Sequence, residues 1–478
     1  VKRTLAELVR AIGLDPQPQW RGIEVAGITE DSRRVRPGEL FVAIRGFVAD
    51  GHAYVGEAVG RGAAAVVVEE ETLASVPCIR VPDGRRALAA LAVAFFDDPT
   101  RELFTVGVTG TKGKTTVCHL IAHLLGEGVT CLLSTVANEE RNLRAVTTPA
   151  SPIIQEAAWS ALRAGQKNFV LEVSSAALAL HRTDGVDFDA AVFTNLTHDH
   201  LDFHKTTDEY LAAKLLLFRG LKESACAIVN ADDAASEEVL AATRAERITY
   251  AIEREADVRA LDIRSGPRAT DFILRVRGET VPVRLFLPGE HNVENALAAA
   301  AVGVWCGLLL DEVAAKLESA QSVAGRYQFF RAKSGATVVV DFAHSPDSLE
   351  RMLRSLRPFH RRVISLFGCG GESDRAKRPI MGGISGRLAD MTILTSDNPK
   401  SEDPSTILDE IEEGILPTGG AYERILERRE AIRRALKLAG AGDVILLAGK
   451  GHETYQIVGH DFLPYSDAEF LREEGLVD

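Results

Sequence analysis

Short apolar runs that end in polar, glycine-rich turns recur along most of this chain, and their spacing predicts strands alternating with helices. From Phe104 to about Ser322 the runs FTVGV, CLLS, NFVLEV, AAVFTN and CAIVN are almost uninterruptedly apolar, with helix-like stretches between them. Strands covered on both faces of a parallel sheet carry that continuous pattern. Between about Asp257 and Pro288 the period changes to two, and VRALDIR, DFILRVR and VPVRLFL read as antiparallel strands. GEHNVENALAAAAVGVW then returns to a helical pattern, opened by Asn292 and Glu294. A further series begins near Val323: TVVVDFAHSPD, RVISLFGCGGESD, MTILTSDNPK and DVILLAGKGHE are each an apolar strand ending in a polar loop. Upstream, VKRTLAELVRAIGL reads as a short amphipathic helix, and LFVAI, GAAAVVVEE and PCIRVPD read as strands.

The pattern predicts an α/β protein. Ligands of open α/β sheets bind outside the carboxyl ends of the strands, where the polar residues of both βα series fall. Two sheets facing one cleft are therefore expected. At 478 residues the chain has room for roughly two to four domains. Its hydrophobic content of 46% and charged content of 26% are ordinary globular values. A net charge of −13 argues against a general nucleic-acid binder or a protein of anionic membranes, although one basic pocket can still take an anionic substrate. The six cysteines are scattered with no CxxC pair, which predicts reduced thiols rather than a disulfide frame or zinc site. With no apolar run of membrane-spanning length, the expectation is a soluble, cytoplasmic protein.

The most specific chemistry lies in FTVGVTGTKGKTTVCHL, Phe104 to Leu120. A β-branched strand runs into a Gly/Thr/Lys loop and then a helix, which aims backbone N–H groups and the positive helix end at a phosphate. Lys114 adds charge, and the Thr115 hydroxyl can reach a Mg²⁺. The spacing departs from the strict pattern, with Val108 where glycine is usual and Gly110 supplying a tighter turn. LEVSS puts Glu172 at a strand end, where a buried carboxylate is costly unless paired or bound to metal. Beside a phosphate loop, a Mg²⁺ ligand is the favoured reading, with a Lys or Arg partner as the alternative. TNLTHDHLDFH, Thr194 to His204, suits a Mg²⁺ site of oxygen ligands, water and His200 better than a zinc site. Lys214 sits among apolar residues in EYLAAKLLLF, where a snorkelling or surface lysine is the ordinary reading. Asp31, Ser32, Arg33 and Arg34 read as a solvated loop or as an anion contact.

In order along the chain, TGTKGKTT, EVSS, TNLTHDHLDFH, the AK of the next helix, NVENALAA, VDFAHSPD, CGGESDRAKRP, DNPK and GKGHETYQ resemble the motif series of the Mur ligases. DSRRVRPGELFVAIRG and GKGHETYQ favour the branch that adds a diamino acid to a UDP-muramoyl-dipeptide. The likeness covers nearly the whole chain. It implies three domains: residues 1–102 for the UDP group, residues 103–322 with a central P-loop ATPase sheet, and a Rossmann-like domain at 323–478 for the incoming amino acid. It further implies that Gly110, Thr111, Lys112, Gly113, Lys114, Thr115 and Thr116 cradle ATP. Thr115, Glu172 and His200 would hold Mg²⁺, and Lys214 would carry a carbamate that helps hold a second magnesium; Lys114, Glu172, His200 and Lys214 form the implied catalytic set. Asn292 and Asn295 would lie near adenine, with Arg326 and Asp341 reaching ATP from the C-terminal side. Ser32, His52, Thr147, Thr148, Ser174 and Arg182 would line the path of UDP-MurNAc-dipeptide. Arg375, Asp397, Asn398, Lys400, Gly449 and Glu453 would form the amino-acid pocket.

The activity so implied is ADP-forming addition of a diamino acid to UDP-MurNAc-L-Ala-D-Glu through an acyl phosphate, by a monomer, in peptidoglycan synthesis. Four positions depart from the family pattern: Ala176 stands where EVSSH has His, Ala150 where TTPE has Glu, His198 where Arg is usual, and Lys400 where DNPR has Arg. Lysine pairs a carboxylate but lacks the bidentate fork of arginine. Lys400 and Arg375 as two cations, with Glu453 as an anion, still favour meso-diaminopimelate over L-lysine or L-ornithine. Other readings are a specialised muropeptide, archaeal pseudomurein-type or folylpolyglutamate-type ligase, or a P-loop regulator that binds nucleotide and releases no phosphate.

Overall fold

The structure, a computed structural model, describes residues 1–47, 49–141, 143, 146–197 and 201–476. Contacts divide the chain into two compact units, Val1–Arg259 with Glu294–Leu309, and Ala260–Val293 with Leu310–Asp478. Among the described residues no helix is long and apolar enough to cross a membrane.

In the first unit, β1 (Ile28–Thr29), β2 (Leu40–Val42), β3 (Ala65–Val68) and β4 (Cys78–Arg80) pair in that order, all parallel. β2 and β3 are buried along their whole length, which is why LFV and AVVV are unbroken apolar runs. Helix α1 (Gly84–Phe96) starts at Asp83, whose carboxylate accepts from the N–H groups of Arg85 and Arg86. Its Leu88, Leu91 and Phe95, spaced for one helix face, join the core of this sheet.

The same unit holds β5 (Phe104–Thr109), α2 (Lys114–Leu125), β6 (Thr130–Leu133), β7 (Asn168–Glu172), β8 (Ala190–Phe193), α3 (Thr207–Arg219), β9 (Cys226–Asn230) and β10 (Glu246–Ala251). The strands run parallel in the order β10-β9-β8-β5-β7-β6. From β5 the chain goes to one side for β6 and β7, then crosses to the other for β8, β9 and β10. Such a reversal opens a crevice at the strand ends, here beside the end of β5. Register places Val108 opposite Glu172 and Thr109 opposite Phe193, so the loop after β5 lies between the ends of β7 and β8.

The segment VRALDIR forms β11 (Val258–Ser265), which has one neighbour that the alternating pattern did not reveal. It pairs with β10 in parallel, Tyr250 opposite Val258, because the strand ERITYA precedes it and supplies a parallel partner. In the second unit, β12 (Thr270–Val276) and β13 (Glu279–Leu285) are the antiparallel hairpin expected from their alternation. Arg277 and Gly278, both at positive φ, make its two-residue turn.

The second unit is built on β14 (Gln328–Arg331), β15 (Thr337–Asp341), β16 (Val363–Phe367), β17 (Met391–Leu394), β18 (Tyr422–Arg424) and β19 (Val444–Ala448). Their order is β14-β15-β19-β16-β17-β18, with β14 antiparallel and the rest parallel. One core contains Leu353, Phe367 and Ile411, and another contains Ile364, Ile432 and Leu447. Alternate residues of the central strands thus feed different cores, as in a sheet covered on both faces. Arg428 and Asp467 form a buried, doubly hydrogen-bonded pair under this sheet, joined by the Tyr465 hydroxyl. Losing one partner would strand a buried charge, at about 3–5 kcal/mol.

Candidate active site

The loop Gly110–Gly113 leaves β5 and enters α2 in the conformation that an anion site needs. Gly110 and Gly113 have φ of +147° and +85°, and a Cβ on them would collide with the Thr194 hydroxyl and the Asn295 amide. Only glycine fits either place. Asn195, from the end of β8, accepts the Thr111 N–H on its carbonyl and the Lys112 N–H on Oδ1 at 2.9 Å. The Lys114 ammonium folds over the loop and donates to the carbonyls of Gly110 and Thr111, at 3.1 and 2.9 Å. Thr115 and Thr116 are buried in the first turn of α2.

Glu172, at the end of β7, is only 2% exposed. Its Oε2 accepts from the Thr115 hydroxyl at 3.0 Å, the Thr135 N–H at 2.8 Å and the Thr135 hydroxyl at 3.0 Å. Three hard oxygens therefore meet beside the phosphate loop, a donor set that suits Mg²⁺. Sequence reasoning missed Thr135, which follows the end of β6, although the rule that strand ends carry function points there. Lys214 of α3 is 1% exposed. Its Nζ donates to the Gly110 carbonyl at 2.8 Å and lies 4.2 Å from the Tyr210 ring centre. It thus points at the phosphate loop and not at solvent, which removes the snorkelling reading. The Tyr210 hydroxyl in turn donates to the Thr111 hydroxyl at 3.2 Å. His200 and His198 lie outside the described residues.

Several residues expected along the muropeptide path gather around Glu172. Thr148 donates to the Glu172 carbonyl at 2.8 Å and accepts the Ser174 N–H, while Arg182 donates to the Thr148 carbonyl at 2.8 Å. The Thr147 hydroxyl lies 3.3 Å from that of Thr135. Ala176 offers no imidazole after EVSS, yet His204 reaches Ser175 Oγ at 2.8 Å from a later helix. Ser32 and His52 lie in the N-terminal part and are occupied locally. Ser32 donates to Glu57 at 2.8 Å. His52 accepts the Glu69 N–H on Nε2, so Nδ1 carries the proton that goes to Asp50 at 2.6 Å. His52, Asp50 and Glu70 are close enough together to suggest a metal. With both His52 nitrogens engaged and Arg45 paired to Asp50 and Glu70, the group does not suit one.

Asn295 packs against Gly113, whereas Asn292 donates to the Pro288 carbonyl at 2.8 Å. Asp341 accepts the Tyr327 N–H at 2.8 Å, and the Arg326 guanidinium stacks 4.5 Å over Phe342.

The second unit brings Asp397, Asn398, Gly449 and Glu453 together. Gly449, at φ +108°, lies so close to Asp397 that a Cβ would strike its carboxylate. Asn398 donates to Glu453 Oε2 at 2.9 Å. Burial pushes the Glu453 carboxyl up, against the pull of Lys450. Lys400 has φ +52°, and its N–H bonds the Ile457 carbonyl at 3.1 Å. Arg375 pairs with Glu410, which also holds the fully buried Arg378 together with Glu402. Any ligand carboxylate at Arg375 therefore competes with Glu410. Sequence reasoning missed Lys450, which bonds Asn398 and Glu453, and the buried Arg378, although both stood inside quoted motifs.

Three family descriptions match the chain: "Mur ligase family, catalytic domain" over residues 24–96, "Mur ligase middle domain" over 108–303 and "Mur ligase, glutamate ligase domain" over 325–451. The chain is 43% identical over 462 residues to the UDP-N-acetylmuramoyl-L-alanyl-D-glutamate–2,6-diaminopimelate ligase of Geobacillus thermodenitrificans, covering 94% of each chain. It is 41% identical to the ligase of the same name from Bacillus cereus, again over 94% of each. A solved structure of a ligase so named is 30% identical, with a TM-score of 0.69 and 98% of each chain covered.

Proposed function

The chain belongs to the Mur ligase family, and on that premise we propose that it joins meso-diaminopimelate to UDP-N-acetylmuramoyl-L-alanyl-D-glutamate at the expense of ATP. One observation carries the reading. A lysine-bearing phosphate loop and a buried carboxylate, Glu172, meet at neighbouring strand ends.

A carboxylate is a poor acylating agent. The γ-phosphoryl group of ATP passes to the glutamate carboxylate and gives an acyl phosphate; the free amine attacks its carbonyl carbon, and phosphate leaves with the bridging oxygen. Phosphoryl transfer needs positioning and positive charge more than covalent help. With the Thr111 and Lys112 N–H groups held by Asn195, the N–H groups at the start of α2 face the phosphate, and Lys114 exchanges the carbonyls of Gly110 and Thr111 for phosphate oxygens. Thr115, Glu172, His200 and a carbamylated Lys214 are the residues we assign to Mg²⁺, which when bound neutralises phosphate charge. The Lys214 ammonium first loses a proton, and adding CO₂ to the neutral amine releases a second, so that a cationic side chain becomes an anionic oxygen ligand. Thr148, Ser174 and Arg182 receive the muropeptide, and Asp397, Asn398, Lys400 and Glu453 the third substrate.

We further assign residues 1–102, 103–322 and 323–478 to the UDP, ATP and amino-acid steps, a division supported by the matched families at 24–96, 108–303 and 325–451. The enzyme acts as a cytoplasmic monomer in peptidoglycan synthesis.

Phosphate release from ATP with UDP-MurNAc-L-Ala-D-Glu and each of meso-diaminopimelate, L-lysine and L-ornithine tests this. Release should require all three substrates. A charged hydrogen bond contributes about 1.5–3 kcal/mol, so kcat/KM should favour meso-diaminopimelate by about tenfold to a hundredfold. Lys400→Ala should erode that preference and Lys400→Arg should keep it. A comparable preference for lysine or ornithine would reassign the third substrate, and no release with any of them would remove the reading.

A further inference from the structure

Asn398 and Glu453 face the third substrate in the reaction proposed above, and both are gripped by a side chain that no part of that reaction yet uses. Lys450 follows β19 and is fully buried. Its Nζ donates to Asn398 Oδ1 and to Glu453 Oε2, each at 2.8 Å, and to the Tyr455 carbonyl. An ammonium has three protons, and all three are engaged. Asn398 Oδ1 also accepts the Ile457 N–H at 3.0 Å, while its amide donates to the same Glu453 oxygen at 2.9 Å. The Asn398 amide therefore has one workable orientation, because a flip would turn its NH₂ toward an ammonium and an N–H. Among the described residues, the hydrogen bonds to the Glu453 carboxylate fall on Oε2. Oε1 is left to accept from a ligand.

We propose that Lys450 is a positioning residue for the third substrate: its buried ammonium locks Asn398 and holds Glu453 by Oε2, so that Oε1 takes a cationic amino group of the incoming amino acid. The assignment rests on the ligase reading. Burial and the neighbouring Asp397 both push the Glu453 carboxyl up, and Lys450 pulls it down. Beyond them, Asp467 faces Lys450 and Arg428 faces Asp397, but these two are already committed to each other. Without Lys450, burial and Asp397 push the Glu453 carboxyl higher, opposed only by the hydrogen bond from Asn398. A neutral carboxyl loses the charge-assisted bond to an ammonium.

The test compares Lys450→Met and Lys450→Gln with the wild-type enzyme, varying each substrate in turn. KM for the diamino acid should rise by about tenfold or more, as for a lost charged hydrogen bond. KM for ATP, KM for the muropeptide and kcat should each move by less than about threefold, since chemistry on the phosphate is untouched. Because Glu453 must be ionised, and losing Lys450 raises its pKa, the acid limb of kcat/KM for the diamino acid should shift to higher pH. On a Glu453→Gln background, Lys450→Met should add little. A folded variant with an unmoved KM and acid limb would overturn the assignment, as would an equal rise in all three KM values. Failure of both variants to show a native melting transition would also overturn it, leaving a purely structural lysine. A wild-type enzyme that uses no diamino acid would instead bring down the ligase reading, and this assignment with it.

Discussion

Replacing Lys114 by alanine should lower the ligation rate by about a hundredfold to a thousandfold, the range seen when one preorganised charge-stabilising donor is lost. The fold should survive. Lys114 is only partly buried, and its ammonium bonds two loop carbonyls and anchors no core. The loop keeps its shape through other contacts: Asn195 accepts from the backbone of Thr111 and Lys112, and Gly110 still accepts from Lys214. Loss of the cation should therefore be felt in the transition state, where negative charge spreads over the phosphoryl oxygens. Phosphate release under saturating substrates, read beside a melting curve, checks this. Unchanged turnover in a protein of native stability would take the loop out of the mechanism.

Lys214→Ala should remove most of the activity, by about a hundredfold or more if the side chain supplies a metal ligand. The variant leaves a cavity beside Gly110 and Tyr210, where the lysine side chain now lies. Short carboxylates such as acetate should enter it and restore part of the rate, since they would replace the oxygen of the proposed carbamate. A lysine that serves only to tie α3 to the phosphate loop predicts something else: lower stability with no rescue. Labelled bicarbonate should also give a carbamate signal in the wild-type protein and none in Lys214→Ala.

Much of this site was legible because parallel strands are continuous apolar runs, and whatever polar residue ends such a run stands at the crevice. Glu172 was readable in that way and Lys114 from the phosphate loop, whereas Asp397 came only with the family resemblance. What the pattern could not reveal was register. Thr135 meets Glu172 only because β6 lies beside β7, two strands with two helices between them in sequence. ERITYA opens with charged residues and was passed over, so the parallel partner of VRALDIR went unseen. The edge strands QFFR and YER are too short to show a period. Burial was equally hidden. Lys450 lies in a glycine-rich polar motif that reads as a loop, yet its ammonium is enclosed by three acceptors. Asp31 was weighed as an anion contact, but it accepts from the Arg33 backbone and pairs with its guanidinium. Arg375 stood as a cation awaiting a ligand, and its partner Glu410 lies on a helix far along the chain.

In the proposed reaction, ATP activates the muropeptide carboxylate as an acyl phosphate. The most direct measurement labels the glutamate carboxylate of UDP-MurNAc-L-Ala-D-Glu with heavy oxygen and follows the label through one round of ligation. The acyl-phosphate route keeps the carboxylate oxygen bonded to phosphorus when the amine displaces phosphate. Inorganic phosphate should therefore carry one labelled oxygen for each amide bond formed, with ADP unlabelled. Amide formation accompanied by unlabelled phosphate, or by label in AMP, would contradict the account.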